Sequence, residues 1–194
     1  MPRRRYIFDP PDRFVAGAIG EPGDRAFFLQ AREGRRVVSV ALEKVQVAVL
    51  AERLGALLEE LGRRGVPEVE APEPDPEIDL AEAADDTGGL DEPLNEAFRA
   101  GSLTLGWDGG AGRVHVEARA QDEDGEAIDP DEDDDEDEEG PDLLRVRMTA
   151  AAARGFVARA ARVVAAGRPP CPLCGAPLDP LGHICPRRNG HYVN

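Results

Sequence analysis

Two periods of hydrophobic spacing alternate along this chain, and the switches between them lay out its elements. Arg13 to Gly20, Ala26 to Arg32 and Arg36 to Leu42 read as strands, divided by the turn residues Glu21-Pro22-Gly23-Asp24 and by Glu33-Gly34-Arg35. The period then changes. Val47, Leu50, Leu54, Leu57 and Leu61 fall on one stripe of a helix running from about Lys44 to Gly62, with Arg63-Arg64-Gly65 and Pro67 as its stop. After a stretch without periodicity the plan recurs. Phe98 to Trp107, Arg113 to Ala120 and Leu143 to Met148 read as strands, and Asp108 to Gly112 is a flexible turn. Thr149 can cap a second helix whose buried stripe is Ala153, Phe156, Ala160 and Val163.

This pattern predicts an α+β protein of two β-β-β-α repeats. About six strands would form one antiparallel or mixed sheet with both helices on one face, and a zinc knuckle would follow at the C-terminus. The expected divisions are 1–65, an acidic Pro-rich linker over 66–96, 97–167 with an acidic loop at 122–140, and a tail over 168–194.

Charge sharpens the picture. Glu68 to Glu92 holds eleven acidic residues and Asp122 to Glu139 holds fourteen, with no basic residue in either. Setting those 25 charges aside turns the net −16 into +9, so a basic body carries two acidic insertions. The first has too little apolar content to pack and reads as a linker that is disordered or orders only when bound, and the second reads as a solvated charge run. The basic start Met1 to Arg5 runs straight into Asp9-Pro10-Pro11-Asp12 without a signal-peptide hydrophobic region. No run approaches the roughly 18 apolar residues of a membrane span. The expectation is a cytoplasmic protein with no membrane association.

All three cysteines lie in the tail, at Cys171, Cys174 and Cys185. An odd number so placed argues against a disulfide framework. The Cys171-Pro-Leu-Cys174-Gly turn aims two thiolates inward, and zinc needs four soft or borderline ligands at tetrahedral corners. The fourth is His183 or His191, which spacing alone leaves open. With four protein ligands such a site is closed and structural. A redox pair is the competing reading, but thioredoxin-type pairs open a helix after a strand, and this one lies in a Pro- and Gly-rich tail.

Arg113, His115, Arg119, Arg145 and Arg147 share the polar face of their two strands and form a candidate binding face for phosphate-bearing ligands or nucleic acid. An ordinary solvated face would show the same alternation, and aromatic residues for base stacking are scarce there. The acidic loop does not fit a calcium hand, since the ligand positions around Gly125 and Gly140 fall on Ala120 and Val146. Signs of catalysis are few. His115 with Asp9, Asp12 or Glu117 is the one candidate acid–base set, and neither Ser39 nor Ser102 lies in a nucleophile elbow.

The stretches RRYIFDPPDRFVAGAIGEPG, FFLQA, LEKVQVAVLAERL, FRAGSLTLGWD and PPCPLCGAPLDPLGHICPRRNG together resemble an actinobacterial family of unknown function, number three thousand and ninety. The ending is the most specific part. The resemblance implies an actinobacterial cytosol and favours His183 as fourth ligand through its Gly-His-x-Cys-Pro-Arg run. It implies no activity. The sequence therefore points to a non-enzymatic binding or regulatory module with structural zinc and a protein or nucleic-acid partner. The alternative is a small hydrolase or transferase using His115.

Overall fold

The computed structural model describes residues 3–69, 86, 88–122, 124–127, 140–167, 171–174, 185 and 187. Strands β1 (Arg5–Phe8), β2 (Arg13–Ile19), β3 (Ala26–Glu33) and β4 (Arg36–Leu42) precede helix α1 (Lys44–Arg63). Then come β5 (Glu96–Asp108), β6 (Arg113–Ala120), β7 (Leu143–Met148) and helix α2 (Ala150–Ala165). The fold is α+β, with one mixed seven-stranded sheet in the order β1-β7-β6-β5-β4-β3-β2.

Register lines up one set of apolar alternates from every strand on a common face. Phe8 lies beside Val146, Val146 beside Val116 and Val116 beside Leu105. Across the other half, Phe98 neighbours Val40, Val40 neighbours Leu29 and Leu29 neighbours Ala16. The stripes of both helices join this same buried cluster through Val47, Leu50, Leu54, Leu58, Leu61, Ala153, Phe156 and Ala160. Phe156 stacks on Phe14 of β2 with ring centroids 4.9 Å apart. Two of the stripe positions read from the sequence, Leu57 and Val163, are only partly buried, and Leu58 takes the place of Leu57 in the core.

The helix starts are pinned. Gln46 accepts from the Glu43 amide at 2.8 Å and donates to the Ala100 and Gly101 carbonyls of β5, at 3.2 and 3.3 Å. Thr149 accepts from the Ala152 amide at 3.2 Å and caps α2.

The sequence reading of six strands omitted β1. Four residues are too few to display a period, and their partner β7 lies 138 residues away, pairing parallel from Arg5–Leu143 to Phe8–Val146. β1 also sets the shape of the sheet. It runs in the same direction as β2, which sits at the opposite edge, yet only Asp9 to Asp12 separate them. Six strand spacings in a flat sheet would span roughly 29 Å. The link from Phe8 to Arg13 reaches roughly 17 Å at most. The sheet must therefore curl. It does so toward the apolar face, where Arg36 at the start of β4 rests on the Phe8 ring at 4.6 Å and donates to the Ile7 carbonyl at 3.2 Å.

The acidic stretch 66–96 needs a correction, since its two ends are packed. Val69 is 1% exposed, and its carbonyl accepts from Arg154 of α2. On return, Asp86 is gripped by two guanidinium groups. Arg13 holds it at 2.5 and 2.9 Å, and Arg159 donates to it at 2.8 Å. Arg159 also donates to the Ala16 carbonyl on β2 and to the Gly88 carbonyl, at 2.8 and 2.6 Å. Asp91 bonds Arg13 at 3.1 Å, while its backbone amide and carbonyl pair with the buried Gln30 side chain at 2.7 and 3.0 Å. Composition averaged over the stretch hid these contacts, because it does not register that one carboxylate meets two arginines far away in sequence, whose charge-assisted hydrogen bonds are strong.

Burial lowers the Arg159 pKa from its ordinary value, and the Arg13 guanidinium holds the Asp86 carboxyl below the usual carboxylate value. Phe156→Ala should lower unfolding free energy by about 3–5 kcal/mol in urea titrations, and Val163→Ala by about 1 kcal/mol or less. Asp86→Asn should cost about 2–3 kcal/mol at neutral pH, because Arg159 is left buried without its counter-charge. A carboxyl whose folded pKa is depressed stabilises above its unfolded value, about 3.9, and ceases to do so as pH falls through the folded value. The gap between the two proteins should therefore narrow only below about pH 4.

Candidate metal centre

Beyond α2 the chain reaches a turn at residues 172–174, opened by Cys171. Pro172 fixes the backbone at the second position of this turn and removes one amide. The amides of Leu173 and Cys174 point back at the Cys171 sulfur, and they bring its thiol down from 9.0 to about 6. Cys185 arrives from eleven residues further on, its sulfur 3.9 Å from that of Cys171. All three sulfur atoms lie within 4.8 Å of one another. Cys171 and Cys185 are buried, and Cys174 is half-buried.

That spacing is informative. A disulfide would draw two sulfurs to about 2.05 Å. Around a tetrahedral zinc with Zn–S near 2.3 Å, sulfurs sit about 3.8 Å apart. The separation of Cys171 and Cys185 matches the second case. Three free thiols, one of them stabilised as thiolate by backbone amides, form a donor set suited to zinc. They are the group of metal-ligating side chains found among the described residues. Cys171, Cys174 and Cys185 are thus brought together from the sequence prediction. His183 and His191 lie outside the described residues, as does most of the tail.

The polar face of β6 and β7 is less open than its sequence implied. Glu117 stands between two of its arginines, bonding Arg119 at 3.0 Å and Arg145 at 2.5 Å. Arg119 is buried, and only 4% of it is exposed. Arg147 reaches Asp9 at 3.4 Å, and Arg113 is half-buried. His115 lies over Gly106 of β5, so close that a Cβ there would come within 2.5 Å of the imidazole. Arg119 therefore acts as a buried counter-charge. Arg113, His115, Arg145 and Arg147 keep partial exposure.

The carboxylates proposed beside His115 are occupied elsewhere. Glu117 holds two arginines, Asp9 holds Arg147, and Asp12 accepts from the Gly34 amide at 2.6 Å. The arginine clamp on Asp86 was not foreseen. Its one sequence signal is Arg159, a charged residue one turn after Phe156 on the buried stripe of α2.

The arrangement is an α+β protein with a three-cysteine cluster that could bind a metal. The chain belongs to the family described as "Protein of unknown function (DUF3090)", whose model matches residues 6–185. No curated protein and no solved structure matches it. Among the described residues, no helix is long and apolar enough to cross a membrane.

In metal-free protein, thiolate absorbance in the ultraviolet should titrate with one step near pH 6, the thiolate present above it and protonated below. Cys171→Ser should remove that step.

Proposed function

We propose that this protein is a non-enzymatic binding or regulatory module whose C-terminal end is shaped by one structural zinc ion on Cys171, Cys174, Cys185 and His183. The observation that carries this reading is the convergence of three thiols at the sulfur spacing of a tetrahedral cage. The family resemblance supports His183 as the fourth ligand. A closed four-ligand site leaves no open position for a substrate, so the ion would supply folding energy to a tail too short to bury a core of its own.

The partner would dock on the face formed by Arg113, His115, Arg145 and Arg147, with Arg119 fixing Glu117 beneath it. A protein partner fits this surface better than nucleic acid. Glu117 already offsets two guanidinium charges, and the sheet offers no aromatic platform on that side. The hydrolase or transferase alternative is the weaker one, because each carboxylate near His115 holds another group. We also read the two successive strand-strand-strand-helix units as an internal duplication. Its support is that each unit is an antiparallel meander closed by a helix after the third strand, and β4 and β5 join the units in parallel.

Elemental analysis of freshly purified protein should find one zinc per chain, and EDTA should lower the melting temperature. Well under one equivalent, or a melting curve indifferent to EDTA, would sink the zinc reading. Affinity capture from the native cytosol should recover a reproducible protein that the double variant Arg145→Glu, Arg147→Glu no longer retains. Recovery of RNA or DNA that survives moderate salt would assign the face to nucleic acid instead.

A further inference from the structure

β5 is thirteen residues long, and α1 does not cover all of it. Leu103 and Leu105 point to the apolar face, yet both remain partly exposed, while their neighbours Val116 and Ala118 on β6 are buried. Opposite them, α1 turns Val45 and Val49 outward, 64% and 46% exposed. Neither valine packs on the core. Between helix and strand lies an apolar groove of about 280 Å³, lined also by Leu50 and floored by Gly101.

Two polar side chains border it. Gln46 is spent on the Ala100 and Gly101 carbonyls. Arg53 is the other, and it has no ion-pair partner among the described residues. The groove therefore presents apolar walls and a single available cation at one end.

We propose that this groove binds an apolar chain ending in one anionic group, as a medium-chain fatty acid does, with the carboxylate on Arg53 and the alkyl chain along Val49, Val45, Leu103 and Leu105. Its length supports that choice. From residue 45 to 53 the helix rises about 12 Å, which an extended chain of about ten carbons fills. The charge selects the head group: a guanidinium pairs with a carboxylate through two parallel hydrogen bonds and repels an amine. This site is independent of the metal centre and does not need it for its chemistry.

Titration calorimetry on the full-length, metal-loaded protein tests the proposal with decanoate, decanol and decylammonium as probes, each below its aggregation limit. Decanoate should bind one to one and more tightly than the other two. Shortening it by one methylene should weaken binding about two- to fourfold. Arg53→Glu should weaken decanoate at least fivefold and leave decanol unchanged. Val49→Glu should abolish binding with an unaltered melting curve, since the side chain already faces water, and Val45→Glu repeats the test from the other end. Equal affinity for decylammonium, binding that survives both valine variants, or no saturable binding would overturn the proposal. So would a dimer in sedimentation that Val49→Glu disperses, because the groove would then be occupied by a second copy of this chain.

Discussion

The constraint on which the rest of the structure depends is the shortness of the Asp9–Asp12 link. It ties the two edge strands of a seven-stranded sheet, and so it forbids a flat sheet. The curl that results brings Phe8 under Arg36 and gathers one set of apolar alternates from all seven strands onto one concave face. Both helices then find a single surface to cover. Without β1 the sheet would end on β7 with an unpaired edge, a geometry that invites association with other chains.

The two faces of the curled sheet bury different mixtures. On the concave face the burial is apolar and non-directional. On the outer face buried Val15, Phe28, Ala41 and Leu143 alternate with paired polar groups, Glu117 between Arg119 and Arg145, and Gln30 matched to Ser39 and the Asp91 backbone. Buried polar groups of this sort add little net stability but are costly to leave half-satisfied, so they fix register. A one-residue slip of β6 would carry Glu117 away from Arg145 and turn Val116 outward together.

Much of the fold was legible because its longer elements repeat their period enough times to declare it. β4, β6 and β7 fall on the residues their alternation predicted, and α1 differs by one residue at its end. What escaped were features whose determinants are distant in sequence. β1 owes its existence to a strand 138 residues away, and Asp86 is placed by arginines on β2 and α2. The cysteine cluster lay between these cases. The Cys-x-x-Cys spacing announced a pair, and Cys185 had to be drawn in from eleven residues further along before its sulfur could count. The fourth ligand is not legible from spacing, because two histidines satisfy it equally.

Val69 and Asp86, at the two ends of the first acidic stretch, are each seated by an arginine from α2. One helix thus clasps both points, so a disturbance of α2 is transmitted at once to two places seventeen residues apart in the chain, and what holds the sheet together also holds these ends in place.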